Sequence, residues 1–327
     1  MTGASVPRVE TTFESRGGSY RIAVLYGRDI EVISPLLFEV FGPRGFTPEW
    51  VRRKYACERE GVHAFACVAF HGDRPVSVVG MLPWPIRHGD RVELAGQHAD
   101  SATSPTHGGR GLHSRLVHLS HEVCEAAGMT FVFRFSNDLS FAITTSKLGY
   151  AHLGDLVEFH VPVRTVWAER FARRAGLAEA YDRRFERITE PFVDSDPPLA
   201  SSALAEGYAV VDRDRTYFDY KEAFGRSRVL RLGGARVWLA LRHGLLVGDM
   251  SAPSDTELGD GVDALERLAR RLGAHRLLFQ APEDIALSRH LATRLPVTRR
   301  RPCAYFDLGS RIPMEALRFT FGDIDTF

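Results

Sequence analysis

The 327-residue chain has little net charge and no long apolar run. Its 42 Lys and Arg residues nearly balance its 41 Asp and Glu residues, which leaves a formal net charge of +1 at pH 7. Such a charge produces no overall field that would recruit nucleic acid or an anionic membrane surface. No apolar segment approaches the ~20 residues of a membrane-spanning helix, and no early one has the length of a signal peptide. We therefore expect neither a nucleic-acid partner nor a membrane partner.

Cysteine is scarce and is not arranged in pairs. The four cysteines are scattered without a Cys-x-x-Cys motif, at positions 57, 67, 124 and 303. Cys67 and Cys124 lie inside apolar strand and helix patterns, which favours buried free thiols over disulfides. This usage fits a reducing compartment, so we expect a cytoplasmic protein.

The chain also lacks the spacing of several familiar catalytic sites. None of the 13 histidines falls into a metal-ligand spacing, and no serine has the Gly-x-Ser-x-Gly context of a hydrolase. We therefore expect no bound metal. What is present is a globular composition, 44% hydrophobic and 25% charged, over a length sufficient for two domains.

The most informative segment runs from residue 101 to residue 114 and reads SATSPTHGGRGLHS. It continues a predicted strand (91–103) and leads into a predicted helix (112–127). Three glycines and Arg110 at such a turn bring backbone N–H groups together with the positive end of a helix dipole. This arrangement predicts an anion-binding loop, although a glycine-rich turn alone is a weak signal.

A second strand-to-helix turn follows. Residues 131–135 (FVFRF) predict a strand, and residues 136–140 (SNDLS) a polar turn into a helix that ends at KLGY (147–150). The two turns together resemble the GCN5-related N-acetyltransferase (GNAT) superfamily over roughly residues 20–163. The Asn-x-x-Ser turn is similar to that of a subgroup that modifies sugars and antibiotics.

The resemblance implies an α+β fold, with a mixed, mostly antiparallel sheet flanked by helices. It also implies acetyl-CoA or a longer acyl-CoA as the acyl donor. Gly111 matches the central glycine of the family's Arg/Gln-x-x-Gly-x-Gly/Ala loop, whereas Gly108 and His113 replace its first and last residues. Many relatives carry a tyrosine as general acid four residues before the glycine of KLGY, and here that position is Thr145.

The implied cofactor-binding residues fall into three groups. They are strand residues whose amides would hold pantetheine, loop residues that would hold the diphosphate, and the Asn-x-x-Ser turn: Ser101, Ala102, Thr103, His107, Gly108, Gly109, Arg110, Gly111, Leu112, His113, Asn137 and Ser140.

Acyl transfer to an amine also needs a base, because the attacking nitrogen must be unprotonated. His98 and Asp100 lie two residues apart on the predicted strand, so both side chains would face one side. A histidine with a pKa near 6.5 can take a proton near neutral pH, and Asp100 could orient it. We hypothesise that His98 and Asp100 are catalytic. The alternatives are that His98 is an ordinary polar strand residue, or that Glu39 is the base.

The C-terminal half repeats part of this pattern. A strand pair (237–250), a helix ending at Gly273 and a strand (277–282) parallel segments of the first half. We predict a second, degenerate GNAT-like domain, in which residues 258–261 (LGDG) replace the glycine-rich loop and Asp260 would repel phosphate. The predicted ranges are an N-terminal extension (1–18), an acyl-CoA-binding domain (19–164, with 157–163 as its last strand), a helical linker (165–200), the degenerate domain (201–310) and a C-terminal tail (311–327).

The implied function is an acyl-CoA-dependent N-acyltransferase of a tandem-GNAT subgroup. It would move an acetyl or longer acyl group directly, in a ternary complex, to a primary amine of a small molecule. The subgroup resemblance points to an amino sugar, an antibiotic or another secondary metabolite. The alternative is a non-catalytic acyl-CoA-binding or scaffolding protein, which the threonine at position 145 favours. A homodimer is left open.

Overall fold

The computed structural model describes residues 10–15, 18–42, 46–196, 199–223 and 227–327. The rest of the predicted N-terminal extension (1–9, 16 and 17) and Pro197-Pro198 of the predicted linker lie outside the described residues. The described residues form two compact units. Unit 1 consists of the described residues up to Ile86, with Arg91–Leu153 and Cys303–Met314. Unit 2 consists of the described residues within Arg87–Asp90, Gly154–Pro302 and Glu315–Phe327.

The described residues form a mixture of strands and helices with a mostly antiparallel sheet, so the expected α+β fold class is confirmed. The strands are β1 (Glu10–Ser15), β2 (Gly18–Tyr26), β3 (Glu58–Arg59), β4 (Val62–His63), β5 (Phe65–His71), β6 (Arg74–His88), β7 (Arg91–Thr103), β8 (Phe131–Phe135), β9 (Ala151–Pro162), β10 (Val210–Val211), β11 (Ser227–Leu232), β12 (Ala235–Leu241), β13 (Leu245–Ser251), β14 (Arg276–Pro282) and β15 (Val297–Asp307). The helices are α1 (Ser34–Phe41), α2 (Pro48–Lys54), α3 (Leu112–Ala126), α4 (Asp138–Lys147), α5 (Ala168–Arg174), α6 (Ala178–Thr189), α7 (Arg215–Glu222), α8 (Asp255–Leu272) and α9 (Ala286–Ala292). No helix in the described part of the chain is long and apolar enough to cross a membrane.

Unit 1 is built on a mixed sheet in the order β1-β2-β5-β6-β7-β8, followed by the Cys303–Asp307 part of β15. Strand β8 runs parallel to β7 and antiparallel to β15. The apolar side of α3, including Leu116 and Val123, packs with Val132 of β8 and Ala304 of β15 in one hydrophobic core. The helix, and the loop before it, are thereby held against the sheet.

Local sequence signals explain the first helices and the hairpin of unit 1. Thr47 caps α2 as predicted, since its hydroxyl accepts a hydrogen bond from the Trp50 N–H at 3.1 Å. The predicted hairpin turns at Gly72-Asp73 between β5 and β6. The predicted stop of α1 lies partly outside the described residues, because 43–45 are not among them.

Unit 2 has a sheet in the order β9-β14-β13-β12-β11. Strands β13 and β14 are parallel, with α8 between them in the chain, as α3 lies between β7 and β8. Helices α5 and α6 of the predicted linker pack into the core of this unit through Ala172, Tyr181 and Phe185. The C-terminal tail also docks here, where Phe327 contacts the ring of Trp238 at a centroid distance of 4.8 Å.

The units differ from the contiguous ranges that the sequence suggested. Residues 157–163 were expected to close the first domain, but β9 pairs with β14 of unit 2, from Leu156/Pro282 to Pro162/Arg276. The strand beside β8 is instead Cys303–Asp307, which comes from near the chain's C-terminal end. An alternating pattern predicts a strand but not its partner, because pairing depends on distant segments.

The predicted position of the second glycine-rich loop is wrong. Residues 258–261 lie inside α8, and the turn before that helix is 252–254, which contains no glycine. Gly259 and Gly261 are buried in the helix, and a Cβ on Gly261 would lie 2.4 Å from Met250 Cε. The glycine at 261 therefore serves close packing of helix on sheet.

Candidate active site

The candidate site begins where β7 and β8 separate. These strands pair at Ala95/Phe131, Gly96/Val132 and Gln97/Phe133. Beyond Phe133, β8 continues along β15, while β7 continues to Thr103. Strands that part in this way leave a wedge with backbone groups on its edge, which can take an extended ligand. We call this wedge, bounded by residues 98–103 of β7 and by Arg134 and Phe135 of β8, the β7–β8 groove.

The backbone of β7 bends at the groove. Asp100 has φ of +47°, in the left-handed region that costs a non-glycine residue free energy. Two contacts hold it there: Lys54 Nζ lies 2.8 Å from Oδ1, and Tyr55 Oη donates to Oδ2 at 3.1 Å. Gly80 leaves room for the second contact, since a Cβ on Gly80 would lie 1.8 Å from Tyr55 Oη. The buried Lys54–Asp100 pair therefore fixes the shape of one groove wall.

The glycine-rich loop joins β7 to α3. Gly109 and Gly111 have φ of +71° and +74°, and Gly111 is the N-cap residue of α3. A Cβ at either position would meet nothing within 4 Å, so here glycine is required for its backbone conformation. No side chain among the described residues caps α3, so its first N–H groups and the positive end of its dipole are available to an anion.

The side chain of Arg110 supports this loop from within. Its guanidinium donates to Tyr20 Oη and to the carbonyl of Thr106, and its own carbonyl accepts from Ser15 Oγ at 2.6 Å. The loop is thereby tied to β1 and β2. Arg110 thus contributes loop geometry as well as charge.

The two histidines that flank the glycines of the loop, His107 and His113, differ in their surroundings. His107 hydrogen-bonds Thr106 through Nδ1, and partial burial and the Arg110 charge lower its pKa. His113, in the first turn of α3, is more enclosed, and burial followed by the Arg134 charge lowers its pKa to about 4. His113 is therefore neutral at neutral pH.

His98 belongs to a buried chain of hydrogen bonds. Its Nε2 lies 2.6 Å from Tyr150 Oη, which in turn lies 2.7 Å from Nε2 of His121. Burial, followed by the charge of Arg134, lowers the pKa of His98 well below 6.5. Burial also lowers the pKa of His121 to about 4 and raises that of Tyr150 well above 10. All three groups are neutral near pH 7.

The structure corrects the expected pairing of His98 with Asp100. His98 Nδ1 has no hydrogen-bond partner among the described residues, while Asp100 binds Lys54 and Tyr55. The reason is the positive φ at Asp100, which breaks the strict alternation from which a shared face was expected. Asp100 therefore positions the β7 backbone and does not orient the imidazole.

Glu39 lies at the start of the loop. It accepts hydrogen bonds from Ser104 Oγ and Arg74 Nη2, both at 2.7 Å. These contacts lower the pKa of its carboxyl group, the Ser104 bond being the larger cause. A carboxylate held in this way is a weak base, so Glu39 is better explained as a support of Ser104.

The Asn-x-x-Ser turn begins α4. Asn137 is the N-cap residue, and its Oδ1 accepts from the Ser140 N–H at 2.8 Å. Ser140 Oγ accepts from Nη2 of Arg134 at 2.8 Å. Thr145, at the position of the family's tyrosine, donates back to the carbonyl of Phe141 at 2.9 Å. The turn therefore connects the start of α4 to a buried arginine on β8.

Sequence reasoning missed Arg134. The residue is only 6% exposed, and its Nε and Nη1 atoms have no hydrogen-bond partner among the described residues. The available signal was the single charge in the apolar run FVFRF. A charge at a buried strand position needs a specific reason, because burial of an ion is costly.

Comparisons with known proteins agree with this geometry. Residues 29–153 match the model of the acetyltransferase (GNAT) domain, whereas no curated protein sequence matches the chain. The chain is similar to the crystal structure of a GCN5-related N-acetyltransferase from Kribbella flavida (TM-score 0.57, 14% identity, 88% of this chain and 72% of that chain). It is also similar to one from Anabaena variabilis (0.55, 11%, 88% and 73%) and to Eis1 from Mycobacterium abscessus (0.53, 14%, 92% and 82%). At these identities the likeness extends to the fold alone.

Proposed function

We propose that the protein is an acyl-CoA-dependent N-acyltransferase, a proposal supported by the match of residues 29–153 to the acetyltransferase (GNAT) domain model. It moves an acetyl or longer acyl group to a primary amine of a small molecule, such as an amino sugar or an antibiotic. One observation carries the proposal. Strand β7, after it parts from β8, leads into a loop with two left-handed glycines and then into a helix that has no side-chain cap.

The proposed cofactor lies along β7. Its diphosphate accepts hydrogen bonds from the N–H groups of residues 108–112, where the helix dipole favours negative charge. Its pantetheine arm runs antiparallel to residues 101–103 and adds main-chain hydrogen bonds to the free strand edge. The thioester then reaches the narrow end of the groove, beside His98 and Arg134.

Direct transfer in a ternary complex requires the amine to attack the thioester carbonyl while it loses a proton. In one tautomer of the buried chain, Tyr150 donates to His121, and His98 donates to Tyr150 through Nε2. Nδ1 of His98 then carries a lone pair and can accept the proton. A pKa well below 6.5 makes His98 a weak base that is already unprotonated at neutral pH.

We further propose that unit 2 contains a degenerate GNAT-like domain, within the described residues of 201–302. Residues 303–310 of the expected range belong to unit 1. Its order of antiparallel strands, helix, parallel strand and helix repeats that of unit 1. The turn before α8 lacks glycine, and the first turn of α8 carries Asp255 and Glu257. These carboxylates oppose an anion, so the acyl-CoA belongs to unit 1.

A matched pair of glycine variants tests cofactor binding. Gly111→Ala places a methyl group on a left-handed residue in the loop, which costs about 1–2 kcal/mol and should weaken CoA binding roughly tenfold. Gly128→Ala, at the other end of α3, imposes the same strain at φ of +80° with no neighbour within 4 Å. Isothermal titration with CoA should show weaker binding for the first variant alone.

Turnover then separates an enzyme from a binding protein. We expect CoA thiol release when acetyl-, octanoyl- or decanoyl-CoA is mixed with a panel of primary amines, and a matching mass increase of one amine. His98→Ala should lower that rate at neutral pH. Tight CoA binding with no thiol release across the panel would instead favour the non-catalytic alternative.

A further inference from the structure

Arg134 is a buried cation without an anionic partner in the described part of the chain. Among the described residues, its only hydrogen bond runs from Nη2 to Ser140 Oγ at 2.8 Å, and Nε and Nη1 have none. Burial lowers the pKa of its guanidinium, and the remaining influence is the buried phenol of Tyr150. An uncompensated buried charge costs several kcal/mol, so its retention indicates that an anion reaches it from outside the protein.

The position of Arg134 identifies which part of a ligand it meets. His98 and Arg134 are the first residues after the last paired positions, Gln97 and Phe133, so they lie at the narrow end of the β7–β8 groove. The glycine-rich loop lies at the other end. From His98 to Thr103 the strand spans five residue steps of about 3.3 Å, or roughly 16 Å. Along β7, the loop end therefore lies about 16 Å from the level of Arg134, and an extended pantetheine arm that starts at the loop would bring its sulfur to that level.

We propose that Arg134 stabilises the coenzyme A thiolate as it leaves, an inference that rests on the proposed function. The ligand class is an anionic sulfur, and the donors are the Nε–H and Nη1–H groups of the guanidinium. Ser140 holds the third nitrogen and thereby orients the fork, while Asn137 holds Ser140 through the cap of α4.

The amine nitrogen forms a bond to the thioester carbon, and the proton of that nitrogen goes to a base. The tetrahedral intermediate then collapses as its C–S bond breaks, and the electron pair goes to sulfur. The products are the amide and a CoA thiolate, which pairs with Arg134 until it takes a proton from solvent. Donors placed where charge develops lower the barrier of such a step.

Arg134 would thus replace a proton donor by a fixed positive charge. Thr145, at the position of the tyrosine found in many relatives, is a threonine whose hydroxyl donates to the Phe141 carbonyl. Arg134 cannot be the proton donor, because a guanidinium does not give up its proton in proteins. Its fixed charge can only stabilise the thiolate, which makes the CoA sulfur a better leaving group.

The decisive measurement is the thiol pKa of bound coenzyme A, read from the ultraviolet absorbance of the thiolate. The spectrum of the desulfo-CoA complex is subtracted at each pH, which removes the absorbance of protein tyrosines. In the parent protein we expect a thiol pKa at least about one unit below that of free CoA, a tenfold gain in thiolate. Arg134→Lys should keep much of this shift, and Arg134→Gln should abolish it.

Other groups around the sulfur do not titrate in the same range. His98 on β7, His113 on α3 and His121 behind Tyr150 have lowered pKa values, and burial raises that of Tyr150 well above 10. A change between pH 7 and 10 that is present with CoA and absent with desulfo-CoA therefore reports the sulfur.

Three outcomes overturn the proposal. The first is an identical thiol pKa in the parent and in Arg134→Gln. The second is an equal loss of affinity for CoA and desulfo-CoA in that variant, which would mean that Arg134 contacts a phosphate or an amide. The third applies if Arg134→Gln does not fold: the proposal then fails if the parent does not bind CoA more tightly as the pH rises from 7 to 9 while desulfo-CoA affinity stays level. A parent that binds CoA without a shifted thiol refutes this inference alone, whereas a parent that binds no CoA refutes the proposed function as well.

Discussion

The buried His98–Tyr150–His121 chain should make the protein sensitive to acid. Burial lowers the pKa of His121 to about 4, whereas an unfolded chain has a histidine pKa near 6.5. As the pH falls below 6.5, the unfolded state binds a proton that the folded state still excludes. The stability contribution of this group is therefore present above pH 6.5 and is lost as the pH falls toward 4.

The size of the effect follows from the two pKa values. A difference of about 2.5 units corresponds to a total of about 3 kcal/mol, of which about 2 kcal/mol is lost between pH 7 and pH 5. His121→Gln removes the titrating group, and its amide can still hydrogen-bond Tyr150. We expect the free energy of unfolding of this variant to fall by about 2 kcal/mol less than that of the parent over this interval.

Urea unfolding at pH 7, 6 and 5, followed by circular dichroism, measures this difference. His98 and His113 are present in both proteins, so their own acid losses cancel in the comparison. His118→Gln, on the exposed side of the same helix, controls for the removal of a histidine. Parallel pH profiles for the parent and His121→Gln would refute the assignment of acid sensitivity to this buried group.

Three further substitutions test the supports of the site and of unit 2. Asn137→Ala removes the cap of α4 and should cost about 1 kcal/mol in thermal unfolding, whereas Asn137→Ser should keep most of it, and equal losses would argue against capping. Lys54→Met removes the cation that lies against the buried Asp100 carboxylate, so urea unfolding should show a loss of about 3–5 kcal/mol, and a loss below about 1 kcal/mol would contradict a buried pair. In unit 2, Arg213 is fully buried against two carboxylates, so Arg213→Met should lower the free energy of unfolding by about 3–5 kcal/mol. Arg215 is exposed, so Arg215→Met should change that free energy little. Similar losses in the two variants would contradict a special contribution of the buried pairs.

The sequence was informative wherever a residue acts through its own backbone or its near neighbours. The cap at Thr47, the turn at Gly72-Asp73 and the glycines before α3 all depend on local conformation. These signals, with the Asn-x-x-Ser turn, were sufficient for the α+β fold and for the GNAT resemblance. A glycine with positive φ has the same requirement whatever lies around it.

The sequence was misleading where a side chain depends on distant partners. The two-residue spacing of His98 and Asp100 suggested a pair, but each found other partners because β7 bends between them. Glycines in a short run suggested a loop at residues 258–261, but Gly261 serves the packing of α8 on its sheet.

By itself, the sequence determined the local backbone: where helices begin, where turns need glycine, and which runs alternate as strands. Only the tertiary structure decided that β9 pairs in unit 2, that residues 303–307 lie beside β8, and that Arg134 is buried with no anionic partner among the described residues. Local conformation is set by sterics over a few residues. Strand pairing and the burial of a charge instead depend on which distant segments exclude water together, and no short pattern records that choice.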